Sequence, residues 1–490
     1  MKTILRYFGF IFLLLGIGFF TSCDSIMGLK PANPNNPPST TVSNIPVNGD
    51  TLFALVTLHW DGGDQDGFVT KYQYRYITKN VQTGDSTVTP WTDTKETSKT
   101  ISFNSPNKLN KQIFEVRSVD NTGDSDPSPA VKYFYTKQTH PPQVTIAQPK
   151  NNDSFFYKDK VTDWYKGVTL TFSGKDSDGE IEKYGWAVDN GDWNWTQDTT
   201  VTITPKYFKR AGEHIIRLTA MDNTSLLSNN PDTVNINLIK PQFDKGILII
   251  DETNEQEFPP GTNFTDQDVD NFYADIFNTQ NQWDFIKNGM PPRSVLGHYK
   301  LIVWHADNNF SNASDAHKLP QHTDEIEDYM NVGGDFIMSG WRILKSFVPD
   351  QPFPQDFRNG TFVHDYLNIE QADETPLTVP GDFIGASGNN GFSDVMVDTT
   401  KLKGIFPYYG KLVQINTITK RGGFTKVIYA YNAQENSQIP TFRGEPVGLQ
   451  YYGTSFNSAV LGFPIFFLKK ADATTLANQI LTSMKFNTSQ

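Results

Sequence analysis

Between residues 245 and 341 the chain alternates short apolar runs with helix-periodic stretches. The runs are 246–250 (GILII), 301–304 (LIVW) and, after Gly333-Gly334, 335–341 (DFIMSGW). Unbroken apolar strands separated by helices predict a parallel sheet covered on both faces, since such strands have no polar side to turn to water. A sheet of this kind holds ligands just beyond the carboxyl ends of its strands. The location of a site is thereby constrained before any of its residues is named.

The flanking segments agree with that layout. Thr265 with Asp268 three positions on makes a capping-box start. Behind it Val269, Phe272, Tyr273, Ile276 and Phe277 share one helical face. Ile326, Tyr329 and Met330 mark a second, shorter helix, closed by Gly333-Gly334. Residues 345–455 hold many Gly, Pro, Asn and Phe, with strand-like pieces at 412–418 and 425–431, and read as an insertion of loops and strands beside the strand ends. Order returns with a buried strand at 458–468 (SAVLGFPIFFL) and a closing helix from Asp472, with Ala473, Leu476, Ile480, Leu481 and Met484 inward.

GILIID, the helix running into NVGGDFIMSGW and the late VLGFPIFFL together resemble the class I glutamine-amidotransferase-like, flavodoxin-like fold, especially its non-amidotransferase members on bacterial surface proteins. The resemblance implies a three-layer α/β domain over residues 242–490. It also implies a nucleophilic cysteine on the turn after a central strand. The matching stretch here, Met338-Ser339-Gly340-Trp341, has none, so amidotransferase activity is rejected. Ser339 is not set in a G-x-S-x-G elbow, because Ile337 and Trp341 stand where the glycines belong; a small residue at a tight junction is the plainer account of it.

Polar residues collect where the strands end: Asp251 and Glu252 after the first, His305 and Asp307 after the second, Trp341 after the third. Carboxylates and an imidazole bind metals or move protons, so Asp251, His305 and Asp307 are the catalytic candidates. Against this, an Asp after a strand often only caps the next turn. Trp304 and Trp341 are candidates for a ligand-binding, sugar-stacking platform, the alternative being core packing. His317 and His322 read as solvated loop residues.

Upstream, residues 42–239 repeat themselves. LHWDGGDQDGFVTKYQYRY and LTFSGKDSDGEIEKYGWAV stand about 112 residues apart, and each leads through a Trp-Thr pair to a strand ending in a near-identical turn, VDNTG or MDNTS. Period-two strands in blocks of about 100 residues argue for β-sandwiches. The D-x-D-G turn before an alternating Tyr/Trp strand resembles fibronectin type III and immunoglobulin-like modules. The modules are placed at 42–139 and 140–241, giving a multidomain chain of two tandem all-β sandwiches and the α/β domain. Asp64, Asp66 and Asp120, and likewise Asp176, Asp178 and Asp222, could supply oxygen ligands to Ca²⁺ from two loops. The simpler alternative is that each Asp caps its own turn while Gly supplies positive φ.

The N-terminus reads as an export signal over residues 1–22: Lys2 and Arg6, then an apolar run from Phe8 to Phe20, too short to span a bilayer. Cys23, the sole cysteine among 490 residues, follows it directly. Thr21-Ser22-Cys23 resembles a bacterial lipobox, with Phe20 where Leu is commonest, and the resemblance implies that Cys23 is acylated. Residues 23–41, rich in Pro, Asn and Ser, read as a tether. The mature chain would then hold no disulfide and no thiol nucleophile. The formal net charge is −12, with no clustered basic face, which excludes a nucleic-acid partner. No G-x-G-x-x-G or P-loop pattern supports a phosphate cofactor. The expectation is a lipid-anchored protein of the bacterial envelope (outer membrane, cell surface or periplasmic face) in which sandwiches present a non-catalytic α/β domain to a polysaccharide or an envelope protein. A carbohydrate hydrolase using Asp251, His305 and Asp307 is one alternative and a structural adhesion scaffold another.

Overall fold

The computed structural model describes residues 34–254 and 257–486. The signal segment, Cys23 and the first part of the tether lie outside them. The chain divides into two compact units between His140 and Pro141.

The first unit is a sandwich of a three-stranded and a six-stranded sheet. Leu58, Trp60, Tyr72, Phe114, Val116 and Phe134 fill the space between them. Each comes from the inward half of an alternating strand, as Leu55–Gly63 shows with every second residue buried. The tether is shorter than expected, because Ser39–Val42 is already a strand paired to Trp60–Gly63. Just before it, Asn35 donates to Asp120 at 2.8 Å.

The second unit begins with the other sandwich, of three and five strands. The duplication is visible in its pairing: in each module a short early strand lies parallel to the last one (Thr51–Leu52 on Ala130–Lys137; Asp153–Phe156 on Asp232–Ile239). This sandwich packs directly on the α/β body. Phe156 joins the core of that body, and its amide donates to Asp328 at 2.9 Å. Asp328 also pairs with Arg293 at 2.6 Å.

The α/β body is built on a nine-stranded sheet. In chain order its main elements are β1 (Lys245–Asp251), α1 (Asp266–Phe277), β2 (Gln282–Asp284), β3 (Tyr299–Ala306), α2 (Thr323–Asn331), β4 (Asp335–Gly340), β5 (Phe383–Gly388), β6 (Val395–Met396), β7 (Thr425–Ala433), β8 (Pro446–Tyr452), β9 (Asn457–Leu461) and α3 (Lys470–Ser483). The order across the sheet is β2-β1-β3-β4-β9-β8-β7-β5-β6. The first five are mutually parallel and the rest antiparallel.

Most of the region read as an insertion therefore extends the sheet, since β5 to β8 lie within it. Only Gln355–Asp356, Ile369–Glu374 and Asn416–Lys420 form a separate small sheet. The stretch read as one strand at 458–468 stops at Leu461, and Ile465–Phe467 is a 3-10 turn.

Apolar runs fit this sheet because both faces are buried. Ile247, Ile249, Val303 and Ile337 face α1 and α3. Leu248, Ile250, Ile302, Trp304 and Met338 face the α2 side. The Thr265 capping box is formed as expected, its hydroxyl accepting the Asp268 amide and its own amide donating to the Asp268 carboxylate. At the end of α2, Gly333 takes φ +113°, and a Cβ on Gly334 would stand 2.1 Å from the Tyr329 ring. Two glycines are thus required there for different reasons.

Candidate functional site

Register assembles the site. Asp251 on β1 pairs with His305 on β3, and His305 with Ser339 on β4. Side chains alternate faces along a strand, so these three fall in one row on the face covered by α1. From α1, Tyr273 closes over the row, with its ring stacked on His305. Its hydroxyl donates to Asp307 Oδ1 at 3.3 Å and lies 3.2 Å from Ser339 Oγ. His305 Nδ1 stands 3.0 Å from Asp307 Oδ2 and 3.3 Å from each of Asp251 Oδ1 and Thr253 Oγ1. The Thr253 amide donates to Asp251 at 2.8 Å, and the Phe466 amide to Asp307 at 3.4 Å.

The three catalytic candidates of the sequence are therefore brought together, and the set is sealed. His305, Asp307, Ser339 and Tyr273 have no exposed surface, and Asp251 keeps 1%. Burial opposes charge on His305, but the Asp251 and Asp307 carboxylates outweigh it and hold the imidazole above its ordinary value. Burial likewise raises Asp251 against the pull of His305. Among the described residues, two polar atoms in the knot find no hydrogen-bond partner, His305 Nε2 and Asp251 Oδ2. Tyr273 and Thr253 were missed as site residues. The available signal for Tyr273 was its place on the apolar face of α1, which marks it as core and gives no sign of the partners its hydroxyl meets.

Glu252 turns to the opposite side. It accepts the Trp304 indole N–H at 2.9 Å and the amides of Lys318 and Leu319. Burial raises it to about 7 despite those donors.

The tryptophan platform is corrected. Trp304 and Trp341 are both fully buried. Trp341 donates its indole N–H to Val413 O at 2.8 Å and packs edge-on against Tyr408 and Phe467, so neither indole offers a face to a sugar. His317 is not solvated either: it is 6% exposed, bonded to Trp341 O at 2.9 Å, and burial lowers it to about 4. His322 is half-buried at the start of α2.

In the sandwiches the Asp turns act as caps. Asp120 Oδ1 accepts from the Thr122 and Asp124 amides, and Asp222 Oδ1 from those of Thr224 and Leu226. With Asn35 as its strongest partner, Asp120 is held down at about 2. Gly67 and Gly179 are not left-handed, contrary to the turn account. A Cβ at Gly67 would stand 2.2 Å from Asn121 Oδ1 and one at Gly179 2.5 Å from Asn223 Oδ1, so the glycine is needed for the close approach of two turns. Among the described residues no three His, Cys, Asp or Glu side chains are gathered in a metal-holding group.

The second module is placed by comparison with known families. Residues 165–234 match the PKD domain. With the strand pairing, this establishes tandem β-sandwich modules of a type carried by extracellular and cell-surface proteins. No curated protein sequence matches the chain. Among solved structures, the fibronectin(III)-like modules of Clostridium thermocellum CbhA share 20% identity over 41% of this chain and 95% of theirs, with a TM-score of 0.21. The PKD1 domain of Vibrio anguillarum Epp shares 17% over 21% of this chain and 100% of its own, with a TM-score of 0.15. A bacterial ice-binding adhesin shares 11% over 44% and 72%, with a TM-score of 0.19. Among the described residues no helix is long and apolar enough to cross a membrane.

Proposed function

We propose that this is a lipid-anchored cell-envelope protein whose α/β domain binds a glycan or another surface protein without catalysing its breakdown. The carrying observation is the closure of the strand-end knot. His305, Asp307 and Ser339 have no exposed surface. Ser339, at the position of the amidotransferase cysteine, spends its hydroxyl on Tyr273. A nucleophile needs an open approach as well as a base, and a polymer has no route to this one.

The β2-β1-β3-β4-β9 order supports kinship with the flavodoxin-like, glutamine-amidotransferase-like fold, in a form without its nucleophile. The export-signal pattern ending at Cys23 and the PKD match support anchoring at the envelope. One observation favours the hydrolase alternative: among the described residues His305 Nε2 and Asp251 Oδ2 are buried without a partner, which is costly for a purely structural knot.

The test incubates residues 24–490, without lipid, with polysaccharides and cell-wall fractions, and scores retention and release of reducing ends together. Retention without release is the expected result. Release that is lost in His305→Gln would overturn it in favour of the hydrolase, and neither retention nor release would leave a scaffold role.

A further inference from the structure

We propose that the binding face of the α/β body is an aromatic cleft where β7 begins and β8 ends, with Trp164 of the second sandwich in its wall, and that it takes a neutral oligosaccharide. The cleft encloses about 500 Å³, within the range of small-ligand sites. Its wall on the sandwich side is Trp164, carried on the 157–167 loop that precedes the Val168–Lys175 strand. Trp164 is held from behind, 5.1 Å from Tyr366 and 4.8 Å from Phe456 between ring centroids, so one edge is fixed and the cleft side stays accessible. Tyr451 of β8, which packs on the same Phe456 ring at 5.6 Å, and Phe424, in the turn before β7, also line it.

Phe424 is 78% exposed, the highest value among the large apolar residues of the described chain. Its backbone is nevertheless fixed, since its carbonyl accepts the Tyr452 amide at 3.2 Å and the neighbouring Arg421 amide donates to Asn368 O at 2.8 Å. An ordered, unburied phenyl ring beside two further aromatics is a poor use of apolar surface unless something covers it.

The polar groups of the same cleft favour a sugar over an apolar peptide. Arg421 Nη1 pairs with Asp365 Oδ1 at 2.9 Å, and Asn368 lies beside them. A planar donor fork next to a carboxylate offers adjacent donors and acceptors, which is what neighbouring hydroxyls of a pyranose require. Ring faces carry partial negative charge and accept the C–H face of the same sugar. The Arg421–Asp365 pair is self-neutralising, so the cleft selects an uncharged glycan rather than a uronate.

This inference rests on the binding reading above and is tested so that the two can fail separately. Residues 24–490 are run through native gels containing xylan, β-glucan or galactomannan. At least one should retard the wild-type chain. Phe424→Ser, at an exposed position, and Arg421→Gln, at a half-buried one, should each weaken that retardation at least tenfold, the first with an unchanged melting temperature and the second with its native near-ultraviolet dichroism retained. Retardation that survives both substitutions would place the ligand elsewhere and overturn the cleft alone. Wild-type protein retarded by none of the three would overturn the neutral-glycan cleft; if the cell-wall fractions also failed to retain it, the binding reading itself would fall.

Discussion

Tyr273 lies flat on His305, with ring centroids 3.6 Å apart and 6° between the planes. The stack couples α1 to the row of polar residues on β1, β3 and β4, and the tyrosine hydroxyl is the only bridge between Ser339 and Asp307 among the described contacts. Tyr273→Phe keeps the stack and leaves two buried groups without that partner, which should cost about 1–3 kcal/mol. Tyr273→Leu removes the stack as well and should cost more. Urea unfolding of both variants checks the order.

Acidification from pH 8 to about 6.5 should stabilise the second unit. Glu252 has its folded pKa raised to about 7, and Asp251 and His305 are raised too. The folded state therefore binds protons in this window that the unfolded state does not, and stability is lost as pH rises through the folded values. The effect is opposed near pH 8 by Lys401, lowered by burial to about 8, and below about 6.5 by His317, lowered to about 4, since both hold their proton more readily when unfolded. Melting temperatures at pH 8, 7 and 6.5 should climb, and the slope should shrink in Glu252→Gln.

Trp341→Ala should unfold rather than disarm. The side chain is fully buried and hydrogen-bonded, so its loss should cost about 3–5 kcal/mol. Any loss of ligand in this variant should track loss of the native near-ultraviolet dichroism.

Asp328 joins the second sandwich to the α/β body, accepting from Phe156 N and Arg293 Nε. Removing it leaves a half-buried guanidinium and the Phe156 amide without their acceptor, and Asp328→Ala should cost about 1–3 kcal/mol. Residues 141–490 should melt in one calorimetric transition, whereas 242–490 alone should expose the pocket left by Phe156 and aggregate.

Much of the α/β body was legible because its signals are local. The apolar runs of β1, β3 and β4 and the five-residue face of α1 require burial whatever the partner. The strand-end placement of Asp251 and His305 followed from topology alone. What failed depended on partners distant in sequence. Trp341 looks the same in a chain whether it faces water or Phe467, and β5, β6 and β8 lack a strong period because they join the sheet only after a long excursion, whereas β7 was visible as the strand-like piece at 425–431. The cleft is still less legible, as Trp164 and Phe424 are brought together from opposite ends of the second unit. At Gly67 the turn chemistry was rightly noticed and wrongly explained: the neighbour was Asn121, in the turn at the end of the adjacent strand of the same sheet.

The two sandwiches began as copies, and a loop of the second has come to line the cleft. On the binding role proposed above, its Trp164 places a residue of a repeated module within the recognition surface of an unrelated fold. Lineages could therefore vary the glycan they recognise by altering that single loop, with both parent cores untouched.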